Sequence, residues 1–374
     1  MKSLRPIAMY LPQFHPVPEN DEWWGKGFTE WTNVKKATPL FKGHYQPHIP
    51  TDLGYYDLRN ADIREAQVAM AKENGIYGFC YYHYWFNGKQ MLERPFNEVL
   101  ASGKPNFPFI LCWANESWTR VWDGSEKEIL LQQQYSEEDN LNHILSLIPA
   151  FKDPRYIKVN GKPVFVVYRS LKVPNIKAML NCWRNEAAKQ GIELYLCRME
   201  SFGDFGSGFL ECGFDAAINF EPFGEKLEAY TDKMKWEKIN NKLTSWYFRY
   251  KVSSTENKLA MLLKFRNRPD YNDYANFCMQ MPLPTYKRFP GITPMWDNTA
   301  RKKERAFLFQ NATPEKYGEW LRHELEIFQP YSVEENFIFI NAWNEWAEGN
   351  HLEPCVKYGS HYLAATKEVC SPYL

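Results

Sequence analysis

The chain has 374 residues, long enough for a large buried core, and its 45 Lys+Arg balance 45 Asp+Glu. That balance gives no field that would call for a nucleic-acid partner, and no run of about 18 apolar residues offers a membrane-spanning helix. The bias is aromatic, with 14 Trp, 23 Tyr and 25 Phe; Trp and Tyr join a flat apolar face to a polar edge, a match for the C–H faces and hydroxyl rim of a sugar ring.

Taken in chain order, the N-terminus enters a short apolar run, Ile7–Leu11, that ends in Pro12 and Gln13. This run is too short for a secretory leader, which predicts a cytoplasmic setting. Seven more strand-like runs follow: Tyr77–Tyr84, Phe109–Trp113, Val164–Tyr168, Glu193–Met199, Ala216–Phe220, a weaker one around Gly291–Trp296, and Phe337–Ala342. They are continuous rather than alternating, as strands covered on both faces are. Helical spacing marks Asp62–Asn74, with Gly75 as C-cap, and Glu137–Phe151, Asn175–Gln190 and Pro314–Phe328, the last opening after Thr313 with Pro at the first helical position. Eight strands alternating with helices predict an α/β fold, a (β/α)8 TIM barrel forming one catalytic domain over residues 1–374, with long loop insertions on its C-terminal face. A doubly wound open sheet is the alternative, but the first strand leads into Leu11-Pro-Gln-Phe-His15 without phosphate-binding glycines.

Two insertions stand out. Residues 13–60 are rich in Trp, Pro and Gly, and loops of that length are often functional. Residues 226–269 carry eleven Lys/Arg against four Asp/Glu, within a basic helical insertion at about 226–280. Trp236, Ile239, Leu243, Trp246 and Tyr250 fall there at helical spacing, which reads as an amphipathic helix packed on the barrel. Its basic face is either solvated or a contact for an acidic glycan, a lipid-linked acceptor or a membrane surface. The eight Cys are scattered without a Cys-x-x-Cys pair; Cys80, Cys112 and Cys197 lie in apolar runs and read as buried thiols.

Barrels place their chemistry at the C-terminal ends of strands. Strand one carries Tyr10 and leads into Gln13 and His15, and strand two ends in His83, Tyr84 and Trp85. Strand three gives Trp113, Asn115, Glu116 and Trp118, strand four Arg169, strand five Glu200 and strand six Glu221. Trp296 and Asp297 follow the seventh run, and the eighth leads to Trp343, Asn344, Glu345 and Glu348. A lone Glu-x-x-Glu is ordinarily a solvated helix turn. Here Glu345 and Glu348 follow a buried strand and are flanked by Trp343 and Trp346. Two carboxyls crowded beside Trp can split their pKa values into an acid and a base, as glycosidic cleavage requires. The other rim residues are the candidate substrate ligands, with His15 and His83 equally readable as satisfied rim histidines. No His-Glu-x-x-His or cysteine-rich set points to a metal, and no P-loop, Gly-x-Gly-x-x-Gly or Gly-x-Ser-x-Gly is present, so neither metal nor cofactor is expected. Nor is there an Asp-x-Asp.

Several long segments resemble one known family. They are Ala8-Met-Tyr-Leu-Pro-Gln-Phe-His15, Asn20-Asp-Glu-Trp-Trp-Gly-Lys-Gly-Phe-Thr-Glu-Trp-Thr-Asn-Val34, Tyr77–Phe86, Cys112–Trp118, Trp296-Asp-Asn-Thr299, Asn341–Gly349 and His351-Leu-Glu-Pro354. Together they are similar to the WbsX-like proteins, first labelled polysaccharide-biosynthesis glycosyltransferases and also described as glycoside hydrolase family 99-like. The resemblance covers nearly the whole chain apart from 226–280. It implies a (β/α)8 barrel and a retaining, metal-independent endo-α-mannosidase chemistry. In that chemistry Glu345 would be the base that activates the sugar's own 2-hydroxyl, and Glu348 the general acid and then base. Ala300 and Cys355 depart from the family pattern, where Pro and Asp are expected. The function expected is hydrolysis of an α-linked, mannose-type oligosaccharide or polysaccharide. The alternatives are a glycosyltransferase of cell-surface or O-antigen polysaccharide assembly and a non-catalytic glycan-binding barrel.

Overall fold

Eight short runs of Val, Ile, Phe, Leu and Cys are buried along almost every residue, so each must be covered on both faces, and a parallel barrel wrapped by helices is the arrangement that does this. The computed structural model describes residues 3–120, 125–244 and 268–373. Its barrel strands are β1 (Arg5–Tyr10), β2 (Gly78–Phe86), β3 (Phe109–Trp113), β4 (Lys162–Val167), β5 (Tyr195–Glu200), β6 (Ala216–Asn219), β7 (Arg288–Phe289 and Gly291–Ile292) and β8 (Phe337–Ile340). All neighbours pair in parallel, with Ile7 opposite Gly78, Phe79 opposite Phe109, Leu111 opposite Phe165 and Ala216 opposite Cys197. β8 returns to β1 through Arg5 and Phe337.

The ring closes through a broken strand. Arg288–Phe289 pairs with β6 and Gly291–Ile292 with β8. Pro290 between them has no N–H to give, but its carbonyl accepts from Phe339 N at 2.9 Å. Gly291 is required for the closure: a Cβ there would lie 1.9 Å from Asn219 O, a backbone atom that cannot step aside. Gly291→Ala is expected to destabilise the protein by about 3 kcal/mol through forced separation of β6 and β7, checked by denaturant titration.

The helices follow their local signals. α1 (Pro18–Trp24) and α2 (Glu30–Lys36) lie in the first insertion; α2 opens on a capping box of Thr29 and Thr32. α3 (Ala61–Glu73) is capped by Asn60 and followed by Gly75 at φ +81°. α4 (Arg94–Ser102), α5 (Glu137–Lys152, capped by Ser136) and α6 (Ile176–Ala188, capped by Asn175) pack outside the sheet. α7 (Phe209–Cys212), α8 (Glu225–Thr244) and α9 (Tyr271–Gln280) precede β7, and α10 (Thr299–Lys302) follows it. α11 (Pro314–Ile327), capped by Thr313, and α12 (His361–Cys370) complete the ring. Trp183 and Trp320, on α6 and α11, are wholly buried.

The insertion at 13–60 folds down onto the barrel mouth. Glu30, Trp31 and Val34 of α2 are buried, Trp31 Nε1 donates to Tyr56 O at 2.7 Å, and its ring lies 5.5 Å from that of Trp346. In the second insertion α8 begins with a buried cation rather than a solvated one: Lys226 pairs with Glu324 at 2.5 Å. Tyr230 packs on Tyr274 and Phe277. Residues 245–267, with Trp246 and Tyr250, lie outside the described residues, as do the side chains of Trp236, Ile239 and Leu243. All eight cysteines are unpaired, and Cys80, Cys112 and Cys197 are fully buried. Among the described residues no helix is long and apolar enough to cross a membrane.

Candidate active site

β8 is followed by a tight hairpin. Asn344 and Glu345 pair antiparallel with His351 and Asn350, and the turn between them is a short helix over Trp346–Glu348. Two anchors fix this hairpin on the rim. The Asn344 amide accepts from Leu11 N at 2.8 Å and donates to Leu11 O at 3.0 Å, copying one rung of a sheet. On the other side, Asp297 N donates to Glu348 O at 2.7 Å. Gly349 closes the turn at φ +52° where a Cβ would meet Asp297 at 2.8 Å.

From that hairpin Glu345 and Glu348 both reach a crevice of about 430 Å³ at the C-terminal mouth. Its walls include Trp23, Trp24, Trp118, Trp296, Phe223 and Phe307, with Tyr82, Tyr84 and Tyr168 in the floor. Between the two glutamates sits Arg301 of α10. Its guanidinium donates to Glu348 Oε1 at 2.6 Å, to Glu345 Oε2 at 3.1 Å and to Glu30 Oε1 at 2.7 Å. One cation thus serves two buried carboxylates, Glu30 and Glu345, and the half-buried Glu348. Burial and then the charge of Glu348 push the Glu345 carboxyl up to about 8, against the pull of Arg301. Burial raises Glu348 as well, opposed by Arg301. The two carboxyls are close enough to titrate as a unit, and both hold a proton more readily than a free glutamate. Arg301 lies nearer Glu348 and so favours the anion there and the proton on Glu345.

Behind the hairpin Glu353 accepts from Tyr56 Oη, Gln67 Nε2 and Trp346 Nε1 at 2.8, 2.7 and 2.6 Å, and Tyr10 Oη donates to Gln67 at 2.7 Å. Burial raises Glu353 to about 7 despite these donors.

The rim residues named from sequence divide into two groups. Gln13, Tyr84, Glu116, Trp118 and Trp296 line the crevice with the glutamate pair. The others do not line this crevice, and their side chains have other partners. Tyr10 and Asn344 serve the anchors described above. His15 is buried, with Nδ1 at 3.0 Å from Pro12 O. β2 runs to Phe86, two residues past the expected end, because Tyr84–Phe86 pairs with Lys89–Met91. His83 and Trp85 therefore sit on a strand and face α5: His83 Nε2 meets His143 Nε2 at 3.0 Å, and Trp85 Nε1 donates to Asp139 at 2.9 Å. Burial drives His83 down to about 3, so it is neutral. Trp113 packs on Trp183 and His143 in the outer layer. Asn115 pairs with the Arg169 backbone at 2.8 and 2.9 Å, and Arg169 itself pairs with Glu116 at 2.7 Å. Glu200 is wholly buried between Arg198 and Arg288, and Glu221 between Tyr274 and Asn219. Asp297 accepts from His44 at 2.7 Å; burial works against its charge, yet the His44 bond and nearby His48 hold it below the ordinary value. Trp343 is in the core beside Phe79. Among the described residues no three His, Cys, Asp or Glu side chains are grouped to hold a metal ion.

Arg301, Glu30, Asn20, Trp23 and Trp24 are site residues that the strand-end reading missed. Trp23 and Trp24 carried a signal, the aromatic density of the first insertion. Arg301 carried only its place five residues after Trp296.

A family model described as Glycosyltransferase WbsX matches residues 6–366. The WxcX protein of Xanthomonas campestris pv. campestris strain B100 is 37% identical over 379 residues, covering 98% of this chain and 51% of that protein. WxcX of strain ATCC 33913 matches at the same identity and coverage. The chain thus spans about half the length of the curated relatives it matches. Among solved structures, the GH99 endo-alpha-mannosidase from Bacteroides thetaiotaomicron superposes with a TM-score of 0.58 at 12% identity, covering 100% of this chain and 98% of that one. A glycoside hydrolase-like protein gives 0.56 at 14%, covering 98% and 94%. At these identities the likeness is one of fold, a barrel of parallel strands ringed by helices.

Proposed function

The chain belongs to the WbsX glycosyltransferase family, and we propose that its crevice cleaves α-linked, mannose-type glycans with retention of configuration. The observation that carries this reading is the geometry: two glutamates on one hairpin, held by a single arginine in an aromatic crevice, where burial raises both carboxyls. A singly protonated pair supplies one acid and one base at neutral pH.

In the proposed reaction Glu345 takes the proton of the sugar's 2-hydroxyl, whose oxygen attacks the anomeric carbon. Glu348 gives its proton to the departing glycosidic oxygen. Water then opens the anhydro-sugar, with Glu348 as base and Glu345 returning the proton to the 2-oxygen. This assignment needs the proton on Glu348 at the moment of reaction, whereas in the unliganded site Arg301 favours it on Glu345. A substrate whose glycosidic oxygen hydrogen-bonds Glu348 favours the protonated form of that residue, so binding supplies the transfer. Direction, cleavage against transfer, is decided by experiment. Incubation with a panel of α-linked glycans is expected to release reducing sugar whose first-formed anomer, read by proton NMR, matches the substrate. Transfer from a nucleotide sugar, with no hydrolysis of any glycan in the panel, would replace this reading by the transferase one.

A further inference from the structure

We propose that Asn20 builds a sugar subsite on the crevice wall, its amide spanning two adjacent hydroxyls of a bound glycan. The inference rests on the reading of the crevice as a glycan site. Asn20 belongs to α1, lines the crevice and is only 1% exposed. Neither its Oδ1 nor its Nδ2 has a hydrogen-bond partner among the described residues. Three asparagines around the mouth behave differently. Asn344 pairs with the Leu11 backbone, Asn115 with the Arg169 backbone, and Asn298 Oδ1 accepts from Phe307 N at 3.0 Å. Those three hold loops in place, and Asn20 holds nothing.

A buried amide without partners is a standing cost to the fold. A fold that places one on the wall of this crevice has a pairing that the chain itself does not provide. The amide offers an acceptor and a donor side by side in one plane. Two neighbouring hydroxyls of a pyranose offer the complement, one donating and one accepting. The surroundings suit a ring in that place. Trp23 and Trp24 of the same helix also line the crevice, and Trp23 is steadied edge-on by Trp118, 6.0 Å between centroids. Trp296 adds a buried indole N–H, also without a partner among the described residues, on the same crevice. Apolar ring faces and unsatisfied donors and acceptors together are the pattern of a pocket that fixes orientation through few polar groups.

The test uses the whole chain, α-linked manno-, gluco- and galacto-oligosaccharides, and analogues of whichever binds with one hydroxyl at a time replaced by hydrogen. Calorimetric titration is expected to show Asn20→Leu binding about tenfold more weakly than the wild type. Its melting temperature should be unchanged or raised, because a buried unpaired amide has been removed. Deoxygenation at the paired hydroxyls should weaken binding to the wild type and leave binding to the variant unaffected. Asn20→Ala gives the same reading where leucine is too large for α1. Equal affinity of wild type and both variants overturns the subsite. If the glycan binds in an Asn20-dependent way but is never cleaved, the subsite stands and the hydrolytic reading fails. If cleavage proceeds at the same KM in Asn20→Leu, the subsite fails and the hydrolytic reading stands. Binding of none of these sugars to the wild type overturns both.

Discussion

Glu348→Gln is expected to lower turnover of an unactivated α-glycoside by about 10³-fold, the usual worth of a positioned acid–base group, while the first-step release of fluoride from a glycosyl fluoride, read in the pre-steady state, keeps most of its rate. Fluoride leaves without a proton, so a substrate carrying it bypasses the acid and still needs the base. Glu345→Gln is expected to cost as much with both substrates, because the 2-hydroxyl must be activated in either case. The reverse pattern, fluoride rescuing Glu345→Gln and not Glu348→Gln, would exchange the two roles, and the proton placement of the unliganded site gives that outcome a physical basis. Full activity in both variants would remove the pair from the chemistry. The pH profile makes a separate check. The working form holds one proton, so activity falls at low pH as both carboxyls protonate and at high pH as the last proton leaves. The alkaline limb is expected near pH 8, where burial and the Glu348 charge have lifted Glu345. Glu348→Gln leaves Glu345, which works as its anion, as the one titrating member of the pair, so the alkaline limb is expected to vanish and the residual activity to rise with pH through the Glu345 titration; an alkaline limb kept near pH 8 contradicts the coupling.

The barrel is legible in the sequence because its strands are buried on both faces and so read as unbroken apolar runs. β7 is the exception that shows why. It is built from Arg288, Phe289, Gly291 and Ile292 around Pro290, and its buried arginine is affordable only because Glu200 and Glu225 meet it at 2.9 and 3.0 Å. No local pattern announces an ion pair whose partners lie on other elements. The site is legible at one level and illegible at the next. Position after a strand identifies the rim, but alternate residues of a strand face opposite ways. Along β2 the crevice receives Tyr82 and Tyr84, while His83 and Trp85 turn outward to His143 and Asp139 of α5. Reading the strand with its period of two would have separated them. Glu200 and Glu221 were hidden for another reason: a carboxylate at a strand end serves substrate or scaffold according to whether cations from other loops reach it first. The hairpin after β8 was the clearest feature, since Asn344, Glu345 and Glu348 crowd a segment that is otherwise apolar and aromatic. What the spacing could not supply was the cation between the glutamates, which arrives from α10.

That cation yields the largest expected effect on stability. Arg301→Met is expected to destabilise the protein by about 3–5 kcal/mol, the cost of removing one partner from a buried ionic cluster. Three carboxylates depend on this guanidinium. Glu30 is wholly shielded, and its second oxygen has no hydrogen-bond partner among the described residues; Glu345 and Glu348 share one opening to the crevice. Without Arg301 the cluster lowers its charge by holding protons. Folded chains then bind more protons than unfolded ones above the ordinary carboxyl range, so stability falls as pH rises. The deficit of Arg301→Met against the wild type is thus expected to be larger at pH 8 than at pH 5 in denaturant titrations. Arg301→Lys keeps the charge but, as a point cation, cannot fork to three carboxylates, and should fall between the two. Adding Glu30→Gln to Arg301→Met removes one of the stranded charges and is expected to recover part of the loss at pH 8, a coupling between residues 271 positions apart that only direct contact explains. A deficit that is absent, or equal at both pH values, would mean that the three carboxylates are not held by this arginine.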